Sequence, residues 1–162
     1  MSSPGNTLTG GELFLQILRN FGVEYIFASS GTEWTPLWEA LARQKAEGMD
    51  GPKYLCARHE DIAIGMASGY SKATGKLSVC LVHSSVGSLR IGMGLRGAYQ
   101  AQLPMLVCAG ESLSFGEGEP WVGFHWGVYL KDYGGPARLM EPLVKSSYCV
   151  NSSAMLAGSV HR

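Results

Sequence analysis

Four short apolar runs, each followed by a stretch with helical spacing, constrain this chain more than any other feature. They are "VEYIFA" (23–28), "KYLCA" (53–57), "LSVCLVH" (77–83) and "MLVCAG" (105–110). Helices are expected between them: from about Pro36 to Ala46, from His59 to about Thr74 with Gly75 as the stop, and from the "SSVGS" turn to about Gln102. An earlier helix opens at Thr9-Gly-Gly-Glu12, which has the spacing of a capping box. It carries Leu13, Ile17, Leu18 and Phe21 on one side and stops at Gly22. Strands alternating with helices at this spacing predict an α/β fold, a three-layer α/β/α domain with a mainly parallel sheet. In such sheets ligands bind beyond the C-terminal strand ends, at the turns into the helices. Three turns qualify: Ser29–Thr32, Arg58–Glu60 and His83–Ser88.

Charge and hydropathy exclude several functions. The 13 basic and 13 acidic residues cancel, so no net field draws in nucleic acid or an anionic membrane surface. No apolar run approaches the roughly 18 residues of a membrane-spanning helix. The opening "MSSPGNTLTGGE" has neither the basic nor the apolar part of a signal peptide. Cys56, Cys80, Cys108 and Cys149 form no C-x-x-C pair and have no zinc-ligand spacing. They read as reduced thiols of a cytoplasmic protein, and no metal site is expected on this chain.

Residues 1–7 read as a disordered tail and 8–162 as one domain. Beyond Gly110 the Gly-, Pro- and aromatic-rich segment reads as a long loop with one short helix from about Trp126 to Tyr133. Ser152 or Ser153 caps a last helix that is expected to be cut short at Arg162.

Three motif fragments fail on context. His59-Glu60 begins H-E-x-x-H, but position 63 is Ala, so the second zinc ligand is missing. Gly92-Met-Gly94-Leu-Arg-Gly97 spells G-x-G-x-x-G inside a helix rather than directly after a strand, and reads as a face of small residues for close packing. His83-Ser-Ser85-Val-Gly87 has the strand–turn–helix setting of a nucleophile elbow. The later histidines, His125 and His161, are poorly placed to complete a triad, so a hydrolase using Ser85 is the weaker alternative.

The residues Arg58, His59, Glu60, Ala63, Met66, Ala67, Gly69, Tyr70, Thr74, Gly75 and Lys76 match the pattern R-H-E-x-x-A-x-x-M-A-x-G-Y-A-x-x-T-G-K. With "YIFASSGTEWTPLWEAL" before it and "PMLVCAGE" after it, this stretch resembles the N-terminal, pyrimidine-binding domain of thiamine diphosphate enzymes. That group includes acetolactate synthase and benzoylformate decarboxylase. "EPLVKSSYCV" resembles the family's closing strand. The resemblance implies thiamine diphosphate as cofactor. It implies that Glu60 hydrogen-bonds the ring nitrogen of the aminopyrimidine and so promotes loss of the thiazolium proton. A carboxyl that shares a proton near neutrality needs burial among apolar groups, which a strand end supplies.

The resemblance also implies the remaining site. Ser30, Gly31, Ser84, Ser85 and Gly87 would line the cofactor. Thr32, His83, His125 and Lys145 would face the substrate. His83 stands where benzoylformate decarboxylase has a His used in proton transfer, whereas Lys145 matches a synthase lysine. Carboligation of acetolactate synthase type and 2-oxo-acid decarboxylation therefore both stay open, and so does a non-catalytic assembly module. The synthases' D-A-F-Q-E segment is "VGFHWGV" here, which leaves FAD binding undecided.

The family holds the diphosphate and Mg²⁺ through a Gly-Asp-Gly on a second domain. No Gly-Asp-Gly occurs in this sequence. The expected partner is thus a pyrophosphate-binding domain, in a C-terminal part or a separate subunit. The complete enzyme is expected to be a homo-oligomer, and this chain alone to be inactive. Ala63, Gly65, Ala67 and Gly69 make a thin helix that lets another backbone approach closely; the resemblance implies that it packs at a subunit interface, with close packing inside one chain as the alternative.

Overall fold

The computed structural model describes residues 7–110 and 134–160. Four strands, β1 (Tyr25–Ser29), β2 (Lys53–Cys56), β3 (Ser78–Val82) and β4 (Met105–Ala109), form one sheet in the order β2-β1-β3-β4. Every pairing is parallel. Parallel neighbours need crossovers, and the helices supply them. These are α1 (Gly10–Asn20), α2 (Thr35–Ala46), α3 (Glu60–Thr74), α4 (Ser84–Arg90), α5 (Gly92–Gln100), α6 (Gly135–Met140) and α7 (Ser153–Val160).

The sheet separates two apolar clusters, which makes the three layers. On one face Phe14, Leu15 and Leu18 of α1 and Leu37 and Ala40 of α2 pack with Ile26, Ala28, Val79 and Leu81. On the other, Ala63, Ile64 and Ala67 of α3 and Leu95 of α5 pack with Phe27, Cys80 and Val82. Strand residues alternate between the clusters, as the two-residue period of a strand requires. β3 is buried at all five positions and β2, at the edge, is mostly exposed. Burial of each large side chain such as Leu18, Ile26 or Leu81 contributes about 1.5–3 kcal/mol.

The helix ends follow the sequence signals. Thr9 and Glu12 form the full capping box. Gly75 ends α3 at φ +70°, a left-handed conformation that glycine adopts without a Cβ penalty. Two expectations change. The helix expected up to Gln102 is split into α4 and α5 at Ile91, which turns into the core just before Gly92. Glycine is a common site for such a break. The "EPLVKSSYCV" segment is not a strand. Glu141–Leu143 is a 3₁₀ turn around Pro142, which has no N–H to offer a ladder, and 144–150 joins no sheet among the described residues. The helix expected near Trp126 lies outside the described residues.

Among the described residues, no helix is long and apolar enough to cross a membrane. The same residues contain no group of three or more His, Cys, Asp or Glu that could hold a metal ion.

Candidate functional site

Strand order locates the site before any side chain is considered. β1 sends its chain to β2 on one side, and β3 sends its chain to β4 on the other. The C-terminal ends of β1 and β3 therefore flank the switch point at which open α/β sheets leave a crevice. All three turns singled out in the sequence open at this end of the sheet.

Glu60 is the first residue of α3. His59 caps that helix, its Nδ1 accepting the Asp61 N–H at 3.3 Å. The cap fixes how α3 leaves β2 and so where the Glu60 side chain points. That side chain is only 14% exposed. Its neighbour across the crevice is Gly87 of α4. A Cβ there would fall 3.3 Å from Glu60 Cγ and 2.8 Å from Val82 Cβ. The carboxylate accepts no hydrogen bond from any described residue. Among the described residues the basic atom nearest to it is His59 Nδ1, 4.0 Å away. A carboxylate so nearly buried normally has donors around it, so this one is suited to a ligand that brings its own.

His83 ends β3. Its Nδ1 lies 2.8 Å from Glu33 Oε2, and the Glu33 side chain is 2% exposed against 46% for His83. The other Glu33 oxygen accepts the Gly31 N–H at 3.1 Å. Glycine leaves room for this pair at two of the surrounding positions. A Cβ on Gly31 would meet His83 Nδ1 and Glu33 Oε2, and one on Gly110 would meet Glu33 Cγ and Trp34 Nε1. Trp34 closes the back by donating Nε1–H to Val82 O at 3.1 Å. After His83 the chain turns sharply into α4 with Ser84 at φ +39°. For a residue with a side chain this costs about 1–3 kcal/mol, and such strain gathers at functional sites.

The other expected residues divide. Ser30, at the β1 end, has its hydroxyl 2.6 Å from Tyr54 OH, which also accepts Trp38 Nε1–H at 3.0 Å. Thr32 is exposed at the start of a short 3₁₀ turn, Thr32–Trp34. Ser85 and Gly87 are buried on α4. Lys145 is exposed, and the ion pairs described for Glu60 and His83 are with His59 and Glu33. His125 lies outside the described residues. Glu33 had no signal in the sequence, because its partner is 50 residues away and only the β1–β3 pairing joins them.

The model described as "Thiamine pyrophosphate enzyme, N-terminal TPP binding domain" matches residues 8–121. The chain belongs to the thiamine pyrophosphate enzyme family. Thiamine pyrophosphate and thiamine diphosphate are one compound, so the resemblance read from the sequence stands. Acetolactate synthase large subunit of Haemophilus influenzae is 34% identical over 107 residues, which is 66% of this chain and 18% of that protein. Probable 2-ketoarginine decarboxylase AruI of Pseudomonas aeruginosa is 30% identical over 122 residues, 75% of this chain and 21% of that protein. A solved Mycobacterium smegmatis protein, assigned as a thiamin diphosphate-dependent enzyme, superposes with a TM-score of 0.70. It is 22% identical, covers 95% of this chain and 27% of its own, and bears out the fold. The chain thus spans about a fifth of the length of these curated relatives.

Proposed function

We propose that this chain is the aminopyrimidine side of a thiamine diphosphate site in a 2-oxo-acid carboligase of acetolactate synthase type. The nearly buried Glu60 carboxylate, lying over Gly87 with no donor among the described residues, carries the reading. Glu60 would accept the protonated ring nitrogen of the aminopyrimidine. Gly31, Gly87 and the turn around Ser84 and Ser85 would give the ring room. When bound, the cofactor supplies an electron sink for the carbanion formed next to a carbonyl. The protein's part is to orient the ring, exclude water and hold one proton at Glu60.

The second half of the site, holding the diphosphate and Mg²⁺, is assigned to a pyrophosphate-binding domain, on a further stretch of chain or another subunit. The surface offered to it and to a second copy is the outer side of α3, α4 and α5. There Ile62, Leu89 and Met93 stand exposed, Met93 at 85%. Apolar residues left out on neighbouring helices suit a protein contact. Gly65 and Gly69 of α3 have nothing within 4 Å of where a Cβ would sit, so a second backbone can approach there. The four free cysteines suit a reducing, cytoplasmic setting.

A second reading, decarboxylation of a 2-oxo acid, is favoured by one observation: a histidine held by a buried carboxylate at the crevice. Thr32 and His83 would meet the substrate in either case, and no described contact argues for Lys145 or for FAD.

The test uses the assembled enzyme, this chain with its pyrophosphate-binding half. Glu60→Gln should lower turnover roughly 10²–10⁴-fold, the range of an acid–base group. Retained activity overturns the reading. With pyruvate, a condensed acetohydroxy acid supports the carboligase and a free aldehyde supports the decarboxylase.

A further inference from the structure

The role of Glu33 goes beyond anything the resemblance supplies. Its two oxygens face two different groups, the Gly31 N–H and His83 Nδ1. An ionised carboxylate can only accept hydrogen bonds, and a neutral imidazole carries one hydrogen on one of its two nitrogens. The 2.8 Å contact therefore needs that hydrogen on Nδ1. Nε2 is left bare, and it has no partner among the described residues on a ring that is 46% exposed.

We infer that Glu33 is a positioning residue that locks His83 in the Nδ1–H tautomer and presents Nε2 as a proton acceptor at the crevice. When Nε2 takes a proton from a substrate group, the imidazolium carries hydrogen on both nitrogens and its charge faces the Glu33 carboxylate. Gly31 and Gly110 lack the Cβ atoms that would push Glu33 off this contact. The inference rests on the proposed function only in treating the crevice as the site. The tautomer itself does not depend on the cofactor.

The experiment is ¹⁵N-histidine labelling of the full chain and long-range ¹H–¹⁵N spectra at a pH where imidazole is neutral, with His83 assigned by its loss in His83→Gln. The expected wild-type pattern is a protonated Nδ1 and a bare Nε2. Glu33→Gln has the same shape but forces the opposite result. Its amide oxygen stays on the Gly31 N–H, its NH₂ then faces Nδ1, and the hydrogen moves to Nε2. Gly31→Ala is the second variant. Its methyl pushes apart two flexible side-chain ends rather than backbone, so the fold persists and the tautomer preference fades. An unchanged Nδ1–H tautomer in both variants overturns the inference.

In the assembled enzyme, Glu33→Gln should slow turnover and add no further loss once His83 is replaced. Additive losses would also overturn it. A tautomer that swaps as expected while thiamine diphosphate leaves the His83 signals unmoved keeps the pairing and removes the crevice from the proposed function.

Discussion

Gly87 and Glu60 share one space: the Cβ that Gly87 lacks would sit 3.3 Å from Glu60 Cγ and 2.8 Å from Val82 Cβ. Val82 is fully buried and cannot yield, so an added methyl pushes toward Glu60. Gly87→Ala is expected to destabilise the fold by about 1–3 kcal/mol, the usual cost of an overpacked core. It should weaken thiamine diphosphate binding by the assembled enzyme at the same time. Urea midpoints and calorimetric titration check the two effects. Full affinity with normal stability would mean that α4 can shift and that Gly87 does not set the position of the carboxylate.

The cysteines should fall into two classes. Burial pushes the Cys80 thiol up to about 12, with lesser contributions from Cys108 and Glu60, and burial alone pushes Cys108 up to about 12. Both stay protonated at any working pH, and the thiolate is the reactive form. Cys56 and Cys149 are exposed. A thiol reagent at neutral pH is expected to label two cysteines rapidly in the folded chain and all four in denaturant. Mass spectrometry identifies the pairs. Fast labelling of Cys80 in the native state would show that the α3 side of the sheet opens locally.

The sheet was readable because each signal for it is local. Apolar runs such as "LSVCLVH", the capping box at Thr9 and the stop at Gly75 act within a few residues. The position of Glu60, where a strand meets a helix, was readable for the same reason, whereas its role toward the cofactor was implied by the resemblance alone. The Glu33–His83 pair was not, because it arises only when β1 pairs with β3 and brings two turns together. The segment from Glu141 on failed because the strand expected there rested on the resemblance alone, with no local signal; Pro142 and the lack of a described partner strand leave it outside the sheet.

Gly94 explains the false dinucleotide motif. A Cβ there would lie 2.6 Å from Ile64 Cγ2, so the glycine lets α5 sit against α3. Gly94→Ala is expected to cost about 1–3 kcal/mol by overpacking. Ile64→Ala alone should cost about 2–5 kcal/mol by opening a cavity. Because the two changes act on the same space, the double variant should be more stable than the sum of the losses predicts, by about 0.5–3 kcal/mol. Denaturation of the four proteins closes the cycle. Simple additivity would show that the helices separate instead of sharing a contact.

Two surface carboxylates, Glu12 half-buried and Glu24 exposed, are expected to make the fold sensitive to acid. The Thr9 backbone N–H, then the Thr9 hydroxyl and Arg43, hold Glu12 below its ordinary 4.5. Hydrogen bonding to Lys76 first, and to Tyr70 second, holds Glu24 below the same value. A carboxyl whose pKa is lower in the folded chain than in the unfolded one stabilises the fold fully above the unfolded value. That contribution is lost as the pH falls through the folded value. Melting temperature should therefore be flat from neutrality to about pH 5 and drop below it, as the unfolded chain takes up protons that the folded chain refuses. Glu24 is exposed and Glu12 half-buried, so added salt should shrink the Glu24–Lys76 part while leaving most of the capping box at Thr9. Glu12→Gln with Glu24→Gln should start from a lower melting temperature at neutral pH and lose less on acidification. An equally steep drop in the double variant would place the acid sensitivity in other carboxylates.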